Sequence, residues 1–339
     1  MKKKKVLLLA PSLMNIYKDI ISGLEAKNFE VVWVQDGQIK GIPYNKRDIN
    51  RKTKTVEEYE KAVNSFWDKK FKELSFYGEL DYFFAIDGMM VSHYFFEQLR
   101  RQNPSIKTLL YLYDKIENNY ELNIFFKHYD DIFTFEKSDS IKYQIKHLPI
   151  YWAPIQGANE EVYDIFGMAS YKACMRYEIF TKVKTMAKAE GLKENISLYY
   201  PHVNSKVLYQ LKYSFKRLMG KDMLPLSHLH NDVFTEHIMT PDQFRENIRI
   251  SRVILDTHNT FQDGLTARFM WAIGMGKKII TTNDNISGYS FYDPDQILIL
   301  NNNYCDIVPF IQAPFEMKSV VKNQILNFRI DNWLNTLLN

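Results

Sequence analysis

Short apolar runs alternate with amphipathic stretches along nearly the whole chain, and this rhythm restricts the fold more than any other feature. Apolar runs of about four to eight residues, separated by helical patterns, indicate strand–helix–strand units and a mainly parallel sheet. In the first half, strands are predicted at Lys5–Ala10, Glu30–Gln35, Tyr82–Asp87, Lys107–Tyr113, Asp131–Phe135 and Ile150–Pro154. Helices are predicted between them at Thr55–Leu74, Tyr94–Gln102 and Tyr120–His128.

The second half repeats the pattern. Its predicted strands are Tyr163–Met168, Ile196–Tyr199, Val233–His237, Arg252–Asp256 and Gln296–Asn301, and its predicted helices are Met175–Glu190, Ser205–Met219 and Thr240–Ile248. Thr240 followed by Pro241 is a good helix start, because threonine caps and proline suits the first position. A final helix or helix pair is predicted over Val320–Leu338, with Ser319 as its cap.

The length of 339 residues suits two domains better than one core. We therefore expect an α/β fold of two Rossmann-like domains facing a cleft, with the boundary near Gly157. The expected bounds are residues 1–156 for the N-terminal domain, 157–310 for the C-terminal domain, and 311–339 for a helix that packs back toward the N-terminal domain.

Composition and charge narrow the function. With 46% hydrophobic and 25% charged residues and a net charge of +4, the chain is globular and is not a dedicated nucleic-acid binder. No secretory signal is visible, and Cys174 and Cys305 lie too far apart to suggest a disulfide framework or zinc site. A cytoplasmic address is expected, and peripheral contact with a membrane is left open. No Gly-x-Gly-x-x-Gly follows the first strand, which disfavours a dinucleotide oxidoreductase.

The segment from Asp256 to Arg268 carries the strongest functional pattern. A buried strand ends at Asp256, a polar turn follows, and "GLTAR" opens a helix whose start offers unpaired N–H groups to an anion. The residues predicted to hold a phosphate are Gly264, Leu265, Thr266 and Arg268. The alternative is a capped helix whose arginine forms only a surface ion pair.

The wider motif pattern resembles bacterial glycosyltransferases of the GT-B type, which build capsule, lipopolysaccharide and other surface glycans. The C-terminal half carries a strand ending in Asp256, a turn with Gln262, then "GLTAR", "GKKIITTN" and "YSFYDP" in that order. The N-terminal half carries "LLYLYDKIENN", "YDDIFTFEKSD" and "LPIYWAP", which are similar to that group's motifs. The resemblance covers about Tyr82 to Leu300 and does not define the sugar.

The resemblance implies an N-terminal acceptor domain and a C-terminal domain for the nucleotide-sugar donor. Arg176, at the first turn of a helix, would meet the donor diphosphate, and backbone groups near His237 and Ile238 would contact the base. Many GT-B enzymes carry a donor-binding glutamate where this chain has Met270 or Trp271, so Asn283 is a candidate substitute. A solvated arginine is the alternative for Arg176.

Transfer to a sugar hydroxyl requires a base that accepts its proton. Asp87 and Asp114 each follow a predicted parallel strand, and Asp87 is preferred because Gly88 would leave access beside it. The alternative for each aspartate is a helix N-cap. Ser12 and Asn15, in the turn after the first strand, are expected to border the acceptor.

No cofactor and no metal are expected. The "DPD" at Asp293–Asp295 is predicted to be a turn, and His228, His230 and His237 have no closed ligand spacing. The expected partners are a nucleotide-sugar donor and a glycan or lipid-linked acceptor, without nucleic acid. The alternative function is a two-domain protein that binds a nucleotide or sugar without catalysis. The sugar, the linkage, the inverting or retaining outcome and the oligomeric state stay open.

Overall fold

The structure is a computed structural model that describes most of the chain. It describes residues 2–37, 39, 56–74, 78–118, 122–157, 160–171, 174–201, 206–219, 224, 228, 231–259, 261–301 and 304–339. The chain forms two compact units. Unit 1 contains Met1–Tyr151, Gln262–Gly264 and Ile330–Asn339, and unit 2 contains Trp152–Phe261 and Leu265–Arg329.

Unit 1 is built on a six-stranded sheet in which every neighbouring pair is parallel. Its strands are β1 (Lys4–Ala10), β2 (Phe29–Gln35), β3 (Tyr82–Ile86), β4 (Lys107–Leu112), β5 (Asp131–Thr134) and β6 (Lys146–His147), in the order β2-β1-β3-β4-β5-β6. Its α-helices are α1 (Ile16–Ala26), α2 (Val56–Glu73), α3 (His93–Gln102), α4 (Lys137–Tyr143) and α11 (Ile330–Leu338). Shorter 3-10 helices span Leu13–Asn15, Ile116–Asn118 and Leu122–His128.

Unit 2 has a second six-stranded parallel sheet. Its strands are β7 (Tyr163–Ser170), β8 (Glu194–Tyr199), β9 (Phe234–Thr235), β10 (Ser251–Asp256), β11 (Lys278–Thr281) and β12 (Ile297–Ile299). Its α-helices are α5 (Cys174–Ala189), α6 (Lys206–Leu218), α7 (Pro241–Arg249), α8 (Ala267–Gly274), α9 (Ile307–Gln312) and α10 (Ser319–Leu326), and a 3-10 helix spans Asp284–Gly288. The α/β class and the two Rossmann-like domains predicted from the sequence are confirmed.

The strand order locates where each sheet can bind a ligand. Read from one edge, unit 2 runs β9-β8-β7-β10-β11-β12, which is the 3-2-1-4-5-6 order of Rossmann domains. The order reverses between β7 and β10 in unit 2, and between β1 and β3 in unit 1. Open α/β sheets bind ligands at such switch points, outside the carboxyl ends of the strands.

Most predicted strands are confirmed. They could be recognised in the sequence because strands of a parallel sheet are buried on both faces and therefore form continuous apolar runs. All five residues of β3, for example, are buried. The helix start at Thr240 is confirmed as well, since its side chain accepts a hydrogen bond from the Gln243 N–H within a full capping box.

Two local predictions are wrong. Ile150–Pro154 is not a strand: residues 150–153 are buried, and the Trp152 N–H and indole donate hydrogen bonds to the carbonyls of Phe328 and Ile325. Ser319 is not the cap of the final helical segment, because the N-cap is Lys318, with no side-chain hydrogen bond. The helix pair allowed for Val320–Leu338 is confirmed, and the described part of the helix predicted at Tyr120–His128 is a 3-10 helix over Leu122–His128.

Four residues named in the predictions lie outside the described ranges: Thr55, Tyr120, Ser205 and His230. Helices α1, α4 and α9 were not predicted from the sequence.

Candidate functional site

The β7–β10 switch point of unit 2 carries a buried carboxylate held by an arginine. Asp256 is the last residue of β10 and is 1% exposed. Its Oδ1 accepts hydrogen bonds from Arg268 Nε at 2.8 Å and from Thr266 Oγ1 at 2.9 Å, and its Oδ2 accepts one from Thr281 Oγ1 at 3.2 Å. Arg268 also donates to the carbonyls of Met168 and Thr257. The arginine is thus fixed at the strand ends by a buried ion pair.

Thr266 caps helix α8, which begins at Ala267 within the predicted "GLTAR" start. Its hydroxyl donates to Asp256 and accepts from the Phe269 N–H at 3.1 Å. Leu265 is a buried apolar residue. The hydroxyl predicted to meet a phosphate therefore has two protein partners, which is the capped-helix alternative, and the phosphate role of Thr266 stays a prediction.

Gly264 belongs to unit 1, where it meets protein and not open space. A Cβ at this position would lie 2.4 Å from the ring of Phe135 and 2.8 Å from its carbonyl oxygen. The backbone of Gly264 therefore packs closely against Phe135. Its phosphate-binding role also stays a prediction.

Arg176, on the first turn of α5, lies at the same switch point as Arg268. Its Nη1 donates to the Ser170 carbonyl at 2.9 Å and its Nη2 donates to the Thr257 carbonyl at 3.3 Å. Burial lowers the pKa of Arg176, and the nearby Arg268 lowers it further. Two guanidinium groups thus share the Thr257 carbonyl beside the single carboxylate of Asp256. This arrangement has an excess of positive charge that an anion can offset.

His258 was missed by the sequence reasoning and lies two residues beyond β10. Its Nδ1 is 2.9 Å from Thr282 Oγ1, and its backbone N–H bonds to the same hydroxyl at 3.1 Å. Burial lowers the pKa of His258, and the positive charge of Arg176 lowers it as well. A neutral imidazole is therefore present near Arg176 at neutral pH.

The other predicted donor residues follow strands of the same sheet. Asn283 is buried after β11, and its side-chain oxygen caps the 3-10 helix through the Asn285 N–H at 3.1 Å. His237 and Ile238 are exposed after β9, and the His237 N–H bonds to Thr235 Oγ1 at 3.1 Å. Their donor-binding roles stay predictions.

In unit 1, Asp87 follows β3 at the switch point in a strained conformation. Its φ is +60° and that of Gly88 is +64°, a region that non-glycine residues adopt mainly at functional sites or turns. Burial, together with the nearby charges of Asp36 and Asp114, raises the pKa of Asp87 to about 7. Its Oδ1 accepts from the Tyr113 N–H at 2.7 Å.

Gly88 does not leave open space beside Asp87 as expected. It is buried, and a Cβ there would lie 2.9 Å from the Tyr129 hydroxyl. The N-cap of the following helix α3 is Ser92, so the capping alternative for Asp87 is wrong.

Asp36, immediately after β2, is a second buried carboxyl that the sequence reasoning missed. It accepts hydrogen bonds from the N–H groups of Met89, Met90 and Gly37 at 2.8–3.0 Å and so holds the turn that contains Asp87. Burial raises the pKa of Asp36 to about 7. The signal was available, because "WVQDG" has the same strand-then-aspartate form as "YFFAIDG".

Asp114 follows β4 and has a structural role already. Its Oδ1 accepts from the Lys115 N–H, from Asn118 Nδ2 and from Gln262 Nε2, each at 2.8 Å. These bonds fix the turn after β4, so the geometry favours Asp87 over Asp114 as a proton acceptor. Ser12 and Asn15 lie after β1, next to β3 in the sheet, where Ser12 is exposed and Asn15 has a φ of +57°.

A pair of carboxyl groups, Glu136 and Asp263, lies after β5 in unit 1. Glu136 Oε2 accepts from the Asp263 N–H at 2.8 Å, and Asp263 Oδ2 accepts from the Ser138 N–H at 2.8 Å. Burial raises the pKa of Glu136 to about 8. Burial also acts to raise the pKa of Asp263, but hydrogen bonds from Glu136 and Ser138 outweigh it and hold that pKa below its usual value. Glu136 is therefore the protonated member of the pair at neutral pH.

The "DPD" motif, discounted as a metal site, has other partners. Asp293 of "DPD" bonds to Lys318 Nζ at 2.9 Å and to the Asp295 N–H at 3.1 Å, which confirms a turn. Among the described residues, no group of three or more His, Cys, Asp or Glu side chains is placed to hold a metal ion.

Comparison with known proteins identifies the fold. No protein-family model matches the chain, and no curated protein matches it. Sucrose-phosphate synthase from Thermosynechococcus elongatus is 10% identical, with a TM-score of 0.55 over 99% of this chain and 98% of that one. An alpha,alpha-trehalose-phosphate synthase (UDP-forming) from Burkholderia vietnamiensis is 10% identical, with a TM-score of 0.57 over 100% and 99% of the two chains.

A third similar structure is the catalytic domain of starch synthase IV from Arabidopsis thaliana, bound to ADP and acarbose. It is 6% identical, with a TM-score of 0.52 over 100% of this chain and 98% of that one. At such low identities the similarity establishes the fold alone. The chain therefore has the α/β fold of the GT-B type, with two Rossmann-like parallel sheets.

Proposed function

We propose that the protein is a glycosyltransferase that moves a sugar from a nucleotide-sugar donor to a glycan or lipid-linked acceptor in bacterial surface polysaccharide synthesis. The observation that carries this proposal is the pair Arg176 and Arg268 at the switch point of unit 2. Only one carboxylate lies beside these two guanidinium groups, so an excess of positive charge remains. The fold supports it, since one protein of similar fold is named as a UDP-forming synthase and another holds ADP and acarbose.

Unit 2 would bind the donor. Arg176 can turn its guanidinium from the Ser170 carbonyl to a diphosphate oxygen, because the carbonyl carries no net charge and an ion pair with a phosphate outcompetes it. Arg268 is held by Asp256 and would act mainly through its charge. His258, neutral and beside these groups, can donate a hydrogen bond to the same phosphates.

Unit 1 would supply the base. The acceptor hydroxyl gives its proton to the Asp87 carboxylate as its oxygen bonds to the anomeric carbon, while the bond from that carbon to the donor phosphate breaks and the nucleotide leaves with the electron pair. A base works best when its pKa lies near the operating pH, and the pKa of Asp87 is about 7. The arginines would stabilise the leaving phosphates, so no obligatory metal is expected.

Donor binding is tested by titrating UDP, GDP, CMP and ADP into the protein and measuring affinity and thermal stabilisation. Arg176→Ala should weaken binding by roughly 10- to 150-fold, the equivalent of a charged hydrogen bond of about 1.5–3 kcal/mol. Arg101→Ala, at an exposed site on α3, is the matched control and should bind normally. Unchanged affinity in Arg176→Ala would refute the donor site.

Arg268 needs a gentler substitution, since Arg268→Ala would leave the buried Asp256 carboxylate unpaired and destabilise unit 2. Arg268→Lys keeps the charge but loses the forked geometry, so we expect weaker nucleotide binding in a folded protein.

Catalysis is tested by donor hydrolysis and sugar transfer in vitro. Asp87→Asn should lower turnover by roughly 10²–10⁴ with donor affinity nearly unchanged, whereas Asp114→Asn should have a smaller effect. Near-normal turnover in Asp87→Asn would exclude it as the base, and loss of activity with a chelator would overturn the metal-free reaction. Nucleotide binding with no hydrolysis or transfer to any acceptor would favour the alternative, a non-catalytic nucleotide- or sugar-binding protein.

A further inference from the structure

Helix α6 of unit 2 exposes a continuous apolar stripe. Val207, Leu211, Phe215 and Leu218 are 73%, 65%, 64% and 87% exposed, and Met219 beyond the helix end is 54% exposed. Their spacings of three and four residues place them along one face of the helix. Large apolar side chains are common singly on protein surfaces, but a contiguous exposed stripe marks a site of interaction.

The charged residues of α6 are all basic. Residues 206–219 contain the basic residues Lys206, Lys212, Lys216 and Arg217, and they contain no aspartate or glutamate. Lys212 and Arg217 are exposed, and Arg217 Nη1 donates to the Tyr213 hydroxyl at 2.9 Å. The stripe is therefore bordered by positive charge that no acidic residue of the helix offsets.

We propose that α6 docks the protein on an anionic lipid surface. An apolar stripe beside a purely basic face is the pattern of helices that lie in the membrane interface, where apolar groups enter the headgroup region and lysines meet anionic lipids. The 13-residue helix is about 20 Å long at 1.5 Å per residue, shorter than the roughly 30 Å hydrocarbon core. Among the described helices, none could cross a bilayer.

Charge selects this partner over a second copy of the chain. Two α6 helices packed through their stripes would bring their basic residues together without a compensating acidic group on either helix. An anionic bilayer supplies negative charge on all sides of the stripe. The inference goes beyond the proposed transfer reaction and does not depend on it, because it concerns a surface helix and not the switch-point residues.

The test is partitioning of the 339-residue chain onto phosphatidylcholine vesicles with and without phosphatidylglycerol, measured by sedimentation at low and high salt. Leu211→Ser/Phe215→Ser should lower binding to the anionic vesicles by at least about tenfold, since it removes apolar groups that enter the interface. Lys212→Gln/Arg217→Gln should lower it by roughly fivefold per charge. Both pairs are exposed, and thermal unfolding checks that the variants are folded.

The matched control is Ile141→Ser/Val320→Ser, which removes two other exposed apolar side chains, 72% and 69% exposed, on α4 and α10. Wild-type affinity in this control, together with loss in the α6 variants, supports the proposal. Failure of the wild type to bind anionic vesicles would overturn it, and so would equal binding by Leu211→Ser/Phe215→Ser. Concentration-dependent dimerisation that these two substitutions abolish would show that a second copy covers α6, which also rejects the lipid assignment.

Discussion

Replacing Glu136 by Gln should remove a pH dependence of stability that originates in the Glu136–Asp263 pair. In the folded state the pKa of Glu136 is raised from 4.5 to about 8, mainly by burial. The folded protein therefore keeps this proton between about pH 4.5 and 8, whereas the unfolded chain loses it. Because the folded state binds more protons in this window, the free energy of unfolding falls as the pH rises through it.

The size of the change in the free energy of unfolding follows from the pH range between the unfolded and folded pKa values of Glu136. Between about pH 6 and 8 the free energy of unfolding should lose about 1.4 kcal/mol per pH unit to this one group, or roughly 3 kcal/mol in all. The amide introduced by Glu136→Gln can donate to the Asp263 carboxylate and accept from the Asp263 N–H, as the protonated acid does. The variant should thus match the wild type within about 1 kcal/mol at pH 6 and exceed it by roughly 3 kcal/mol at pH 9.

The assay is urea unfolding at several pH values from about 6 to 9, followed by tryptophan fluorescence, with the buried Trp67 and Trp333 as reporters in unit 1. Glu25→Gln, the same change at an exposed site on α1, should keep the wild-type slope. Infrared spectroscopy at neutral pH should show a protonated-acid carbonyl band that weakens in Glu136→Gln, the remainder coming from Asp36 and Asp87. Parallel pH slopes for wild type and Glu136→Gln would refute the assignment of the proton to Glu136.

Three further predictions concern other buried or capping groups. Asp256→Ala should destabilise the protein by about 3–5 kcal/mol in urea unfolding, because it leaves the Arg268 guanidinium without its buried partner. Asp36→Asn should move the inflection of the turnover–pH profile to lower pH, because the Asp36 charge helps to raise the pKa of Asp87; an unmoved inflection would separate Asp87 from the titrating base. Thr240→Ala should lower the free energy of unfolding by about 1 kcal/mol, the usual effect of losing an N-cap. The unfolding is measured at a pH at which the proposed catalytic groups do not titrate.

The strands could be predicted because each strand of a parallel sheet is covered on both faces and must therefore be apolar. The β3 run Tyr82–Ile86 is apolar throughout, since both faces of the strand are covered. The run Ile150–Pro154 is equally apolar for another reason: Tyr151 and Trp152 fill packing sites, and their polar atoms bond to distant carbonyls such as Ile16 and Ile325. A single sequence does not distinguish these two causes of apolar composition.

The candidate site was partly predictable for the same reason. Carboxyl ends of parallel strands meet at one edge of a sheet, so an aspartate after a strand can be placed near that edge from sequence alone. The same rule, applied to every predicted strand, would also have identified Asp36. It could not have predicted the Glu136–Asp263 pair, because the bonded residues are 127 positions apart and only the tertiary structure brings Asp263 to the end of β5.

The charges at the two switch points explain why the proposed roles are divided between the units. In unit 1 the strand ends carry Asp36, Asp87 and Asp114, and burial together with the like charges raises the pKa of Asp87 toward neutrality. A diphosphate would be repelled there, whereas an uncharged sugar hydroxyl that needs a base would be accepted. In unit 2 two arginines exceed the single Asp256 charge, so the corresponding position would attract phosphate. The same Rossmann-type sheet, with opposite charge at its carboxyl edge, would thus suit one unit to the proposed proton removal and the other to the proposed nucleotide binding.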